Sequence, residues 1–244
     1  MKRSLLVLLC AASVLVSCRH ENETTLPDLS QQVEALLDSM TVDEKIGQLM
    51  NATPGIERLG IKPYDWWNEG LHGVGRNGRA TVFPQPIGLA ASFDTLLLRK
   101  IGDAIAEEAR AKFNVAQRLG NYGRNAGLTF WSPNINIFRD PRWGRGMETY
   151  GEDPYLTGRL GCSFVRGMQG DDPRYLKVAA CAKHFAAHSG PEATRHGADV
   201  HPPMKDLFET YLPAFEMLVK EARVEAVMRS EERRVGKECI ALCR

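Results

Sequence analysis

Helical and extended segments alternate along this chain, and that alternation limits its fold more than any other feature. Val33, Leu36, Leu37, Met40, Ile46 and Leu49 recur at helical spacings between Leu29 and Met50. Inside that stretch Thr41-Val-Asp-Glu44 has the form of a capping box, so a second helix is predicted to begin there. Leu96 to Leu119 is predicted to form one long amphipathic helix. Asp153 is placed as the N-cap, ahead of Pro154, of a helix running through Met168, and Met204 to Ala222 is predicted to be helical too. Between them lie short apolar runs: Thr129 to Phe138, aromatic and β-branched; Val178 to Ala182, all small; and Val224 to Met228. Such runs between helices predict buried strands, and the alternation favours an α/β chain with a parallel sheet.

Both ends depart from that pattern. Lys2 and Arg3 precede the apolar run Leu5 to Val16, the layout of a secretory signal peptide over residues 1–18. The run is shorter than the roughly 20 apolar residues of a spanning helix. Leu15-Val-Ser-Cys18 resembles a bacterial lipobox, which makes Cys18 the candidate lipidated residue and residues 19–30 a polar tether. The implied location is periplasmic or on the outer membrane, with the membrane met through a lipid anchor alone. At the other end, residues 229–244 turn abruptly charged and show no strand or turn logic. They read either as foreign sequence joined at about Arg229 or as a short tail.

Composition narrows the function. The net charge of +1 gives no footing for nucleic acid or an anionic surface. Of six cysteines, Cys10 and Cys18 fall in the leader and Cys239 and Cys243 in the tail, so no disulfide framework is expected. Cys181 lies inside a predicted strand and reads as a small buried residue.

The chemistry concentrates after the first apolar run. Arg139 to Pro154 packs three arginines, four carboxylates and two aromatics into one loop broken by proline and glycine. Forked guanidinium donors and planar aromatic faces together suit a polyhydroxylated ligand. This stretch resembles the Arg-Asp-Pro-Arg-Trp-Gly-Arg signature of family 3 glycoside hydrolases, the exo-acting β-glucosidases and β-xylosidases. Trp66-Trp-Asn-Glu-Gly-Leu-His-Gly-Val74 and Ala180-Cys-Ala-Lys-His-Phe185 match the same family in the right order, with Thr81 to Pro86 as a weaker fourth segment.

The resemblance implies that residues 31–228 form part of an N-terminal (β/α)8 TIM-type barrel, incomplete in this chain. A whole barrel takes about 250 residues. It assigns sugar binding to Glu69, Arg145, Lys183 and His184. Asp65 is a nearby rival to Glu69; Trp66 and Trp67 either stack on sugar or pack. Arg139 and Arg142 are expected to brace the loop by pairing with Asp140, Glu148 or Asp153, and His72 to stabilise its own loop. Lys183 and His184 are adjacent, so on a regular strand they point opposite ways and reach one ligand only across a bend.

The family cleaves β-glycosidic bonds with retention, using a carboxylate nucleophile and a carboxylic acid/base. By resemblance both lie further along, the second in a C-terminal α/β domain, and neither motif occurs in this sequence. The implied substrate is a β-linked oligosaccharide. The Trp-Trp-Asn-Glu form leans towards β-xylosidases, but xylose and glucose both stay open. The alternative from another class is a non-catalytic, glycan-binding surface lipoprotein.

Two tempting motifs lead elsewhere. Gly73 to Gly78 satisfies G-x-G-x-x-G but lies in a tryptophan-rich loop rather than between a strand and a helix. His184 and His188 have the i, i+4 spacing of a metal pair, with His196 and His201 beyond, yet the H-E-x-x-H glutamate is missing. No metal and no other cofactor is expected.

Overall fold

A computed structural model describes residues 28–195 and 200–229 of the 244. The signal peptide with Cys18, the tether up to residue 27, the tail beyond Arg229 and His196 lie outside the described residues. The chain divides into two compact units, 1–39 and 40–244. The described part of the first contains helix α1 (Ser30–Ser39).

The second unit opens with α2 (Val42–Gln48), and its capping box closes in both directions. Glu44 N donates to Thr41 Oγ1 at 3.2 Å, and Thr41 N donates to a Glu44 carboxylate oxygen at 2.8 Å. Two helix-start donors are thereby satisfied. A small antiparallel pair, β1 (Ala52–Thr53) and β2 (Tyr64–Asp65), then leads into a long loop and the short helix α3 (Pro86–Ala90). Next comes α4 (Thr95–Arg118), started by Asp94, whose carboxylate accepts from Leu97 N at 3.0 Å.

Three parallel strands follow in sheet order: β3 (Thr129–Phe130), β4 (Ala179–Phe185) and β5 (Ala226–Arg229). Helix α5 (Pro154–Gln169) connects β3 to β4. The connection from β4 to β5 holds α6 (Met204–Asp206) and α7 (Pro213–Lys220). This is the mixed α/β arrangement that the alternation predicts, with small sheets. Ala180, Cys181 and Ala182 are all buried, as a central parallel strand covered on both faces requires.

Helices α4 and α5 seal this core with Leu98, Ile101 and Ile105 against Leu160, Phe164 and Met168. Two glycines set how closely they pack. A Cβ on Gly102 would lie 2.5 Å from Phe164 O, and one on Gly167 would lie 2.1 Å from Arg99 O. No side chain fits at either contact. Full burial of each large aliphatic here contributes about 1.5–3 kcal/mol.

Two elements differ from expectation. The run Thr129 to Phe138 pairs regularly only over its first two residues: Trp131 N turns to Asn68 O, Ser132 N to Phe130 O, and Pro133 has no N–H to give. It still follows β4: Cys181 N donates to Ser132 O, Lys183 N to Pro133 O, and Ile135 N to Lys183 O. Met204 to Ala222 is not one α-helix. Leu207–Tyr211 is π-helical, with Leu212 N donating to Leu207 O at 2.9 Å, and Pro213 restarts the helix as its first residue. Pro213 cannot donate to the preceding turn, and the wider turn absorbs that break.

Candidate functional site

Strand β4 does not stop where its small residues stop. It runs on through Lys183 and His184, where the pairing with β5 slips: Lys183 faces Met228 and Phe185 faces Arg229, so His184 is the extra residue of a bulge. A bulge re-aims side chains locally. Here Lys183 and His184 line the same cleft, although they are neighbours on a strand. The Lys183–His184 peptide is cis.

The cleft has a volume of about 740 Å³, within the range of small-molecule sites. Glu69, Arg145, Lys183 and His184 all line it. Arg145 comes from the loop after the β3 run. Its guanidinium grips Glu148 with two hydrogen bonds, Nε to Oε1 at 3.0 Å and Nη2 to Oε2 at 2.6 Å. Its Nη1 lies 3.3 Å from His184 Nε2. Among the described residues, the Lys183 ammonium has no hydrogen-bond acceptor and no ion-pair partner, although it is 7% exposed.

Glu69 and Asp65 part company. Glu69 faces the cleft and accepts from Trp67 Nε1 at 2.9 Å, with Arg76 Nε 3.1 Å from its other oxygen. Asp65 is buried at the end of β2, accepts from Trp67 N at 2.9 Å and does not line the cleft. The two tryptophans separate as well. Trp67 stacks on Trp131 with centroids 4.9 Å apart, and both rings line the cleft. Trp66 turns to Thr53 Oγ1, 3.0 Å from its indole nitrogen. His72 pins its loop, with Nδ1 2.9 Å from Phe83 O, and also lines the cleft.

The bracing of the arginine loop needs one correction. Arg142 pairs with Asp140 at 2.8 Å, and that contact pulls the Asp140 pKa down to about 2. Glu148, however, serves Arg145, and Asp153 caps α5 by accepting from Leu156 N. Arg139 instead places its guanidinium 5.8 Å from the centre of the Tyr211 ring. Two acids considered as braces for Arg139 and Arg142 thus have other work, one on Arg145 and one at the start of α5.

Burial shapes the electrostatics. Desolvation, then the charge of Arg145, lowers the Lys183 pKa to about 8, against the pull of Glu148 and Glu69. Desolvation, then Lys183 and Arg145, pushes the His184 pKa well down, so its ring is neutral at pH 7. Burial alone would raise Glu148, but the Arg145 hydrogen bonds and charge, with help from Lys183 and Asn134, hold it below the usual range. The cleft therefore offers cationic donors, carboxylate acceptors and a neutral imidazole beside an aromatic wall. Vicinal hydroxyls need that mixture of donors and acceptors.

Three contributors escaped the sequence reading: Trp131 as part of the wall, Glu148 as the partner of Arg145, and Asn136 beneath His184. The available signal was Asn134 and Asn136 two apart in an otherwise apolar run, since buried amides must find partners. Among the described residues no group of three or more His, Cys, Asp or Glu could hold a metal. The His184 and His188 rings lie against one another, centroids 4.6 Å apart. In the glycine-rich loop, Gly73 has φ 139°, and a Cβ there would meet Thr81 O at 2.3 Å. That glycine serves a close turn of the chain.

Comparison with known proteins identifies the family. Residues 57–233 match the family described as Glycosyl hydrolase family 3 N terminal domain. A xylan 1,4-beta-xylosidase of Xylanibacter ruminicola is 49% identical over 213 residues, covering 85% of this chain and 25% of that protein. Probable beta-D-xylosidase 7 of Arabidopsis thaliana is 42% identical, covering 87% of this chain and 30% of its own length. Among solved structures, a family 3 exo-beta-xylosidase in complex with a xylobiose aziridine probe superposes with TM-score 0.75 at 35% identity, over 86% of this chain and 28% of that one. Beta-glucosidase 3B from Thermotoga neapolitana, in complex with α-D-glucose, gives TM-score 0.67 at 29% identity, over 84% of this chain and 30% of its own. The chain spans between a quarter and a third of the length of these relatives. It belongs to glycoside hydrolase family 3, within that family's N-terminal domain.

Proposed function

We propose that this chain carries the sugar-binding half of the active site of an exo-acting, retaining β-glycosidase, with a β-xyloside as substrate ahead of a β-glucoside. The observation that carries this is the convergence of Glu69, Arg145, Lys183 and His184 on one cleft walled by Trp67 and Trp131. The three parallel strands with intervening helices support the first part of a (β/α)8 barrel, whose functional face lies at the carboxyl ends of its strands. Lys183, His184 and Met228 sit at such ends. The three β-xylosidases cited above share 35%, 42% and 49% identity with the chain, and the cited β-glucosidase shares 29%, which favours xylose.

The nucleophile and the acid/base belong, in this proposal, to sequence beyond these 244 residues. Cys18 is the proposed lipid attachment point of a periplasmic or outer-membrane protein. Xylose and glucose titrations followed by tryptophan fluorescence, with an aryl β-xyloside assay alongside, test the reading. Saturable quenching by xylose without turnover is expected. Hydrolysis by this chain alone, or indifference to both sugars, would overturn it.

A further inference from the structure

Asn136 lies in the irregular run beside β4, 1% exposed, and its amide meets the bulge at four points. Nδ2 donates to His184 O at 2.8 Å and to Ala186 O at 3.2 Å. Oδ1 accepts from His184 N at 2.9 Å and lies 2.9 Å from His184 Nδ1. Chemistry alone fixes the orientation of this amide. Two carbonyl oxygens can only accept, so the NH₂ must face them, which leaves the bare Oδ1 against Nδ1. The ring must therefore donate from Nδ1. A neutral imidazole carries one ring proton, so Nε2 is left as an acceptor. The opposite side agrees, because the Arg145 guanidinium, which can only donate, lies 3.3 Å from Nε2.

We propose that Asn136 is a positioning residue that holds His184 as its Nδ1–H tautomer, so that the cleft presents Nε2 as an acceptor beside the donors of Arg145 and Lys183. The value of this tautomer rests on the sugar-binding reading. A hydroxyl can donate to Nε2 while accepting from a neighbouring cation. A group that only accepts, such as a fluorine, meets donors but leaves Nε2 unpaired. The same amide ties the carbonyls on both sides of Phe185, so one side chain sets both the shape of the bulge and the proton of its histidine.

The test is a long-range ¹H–¹⁵N correlation spectrum of ¹⁵N-histidine-labelled protein at pH 7, with His184 assigned by its loss in His184→Gln. A protonated Nδ1 and a bare Nε2 are expected; the Nε2–H tautomer or an imidazolium overturns the proposal. Asn136→Asp keeps an acceptor against Nδ1 but sets an acceptor oxygen against His184 O and Ala186 O; where it folds, it is expected to keep the proton on Nδ1. Asn136→Leu removes it and is expected to mix the tautomers. A Leu variant with unchanged Nδ1–H, or an Asp variant with a bare Nδ1, overturns the proposal. If neither variant folds, the wild-type spectrum decides it. Xylose added to the wild type separates the two readings. A correct tautomer whose Nε2 signal ignores the sugar leaves the Asn136 assignment standing and removes the sugar-binding role.

Discussion

Arg145 and Glu148 hold one another through two hydrogen bonds across a single turn of 3₁₀-helix, with side chains 18% and 21% exposed. Asn134 Nδ2 braces the carboxylate from behind at 3.3 Å. The pair aims the guanidinium and offsets its charge, which would otherwise sit beside the Lys183 ammonium with less compensation.

Glu148→Gln keeps the shape and removes the charge. Hydrogen bonds to charged groups contribute about 1.5–3 kcal/mol each to stability. The variant is therefore expected to lose roughly 2 kcal/mol in urea unfolding and to bind xylose at least tenfold more weakly. Unchanged unfolding would show that the pair adds nothing to the fold.

Lys183 is held in the cleft at a cost to stability. Its pKa is about 8 in the folded chain, against an ordinary value of 10.5. The unfolded state thus binds the proton more tightly between those values, and stability rises with pH across that window. Below pH 8 the penalty is fully present, on the order of 3 kcal/mol. Lys183→Met is expected to be more stable than wild type at pH 7, with the gap closing towards pH 10.5, and to lose xylose binding. A gap that does not change with pH would contradict the buried ammonium.

The helices and the small-residue strand were legible because their signals are local: spacing, caps and apolar runs. Asp94 was not anticipated as a cap, yet Asp153 and the Thr41–Glu44 box formed as written. The breaks were harder to see. Pro133 and Pro213 remove donors whose partners lie in other turns or strands, so their effect depends on register. The four candidate sugar residues came from motif resemblance. Their supports did not: Asn136 and Trp131 act across distant segments, and Glu148, three residues from Arg145, was set against Arg139 and Arg142 instead. Asn136 and His184 are 48 positions apart, and no spacing rule joins them.

Gly167 makes its own prediction. A methyl group there would sit 2.1 Å from Arg99 O and 2.9 Å from Asp103 N, and backbone cannot rotate away as a side chain can. Gly167→Ala must push α4 and α5 apart. Overpacking of a tight core costs about 1–3 kcal/mol. A fall of that size in unfolding free energy is expected, whereas an exposed helical glycine would gain from the same change. Stabilisation would mean that the two helices are not in contact there.

Glu69 and Asp65 test whether the cleft or the motif defines the binding acid. They lie four residues apart, Asp65 at the end of β2 and Glu69 in the loop after it, and from the sequence either could have gripped a sugar. Asp65 spends its carboxylate on Trp67 N, with Arg124 Nε 3.9 Å away, and is buried. Glu69 holds the Trp67 indole and keeps its acceptor face on the cleft. Asp65→Ala leaves the Trp67 N–H without its acceptor, which costs about 1–3 kcal/mol of stability. Glu69→Gln replaces one acceptor oxygen with a donor at the ligand, and is expected to weaken xylose binding about tenfold or more while leaving the unfolding midpoint nearly unchanged. Isothermal titration and urea unfolding of both variants give four numbers. If Asp65→Ala abolishes binding in a fully stable protein while Glu69→Gln binds normally, the acid has been assigned to the wrong residue.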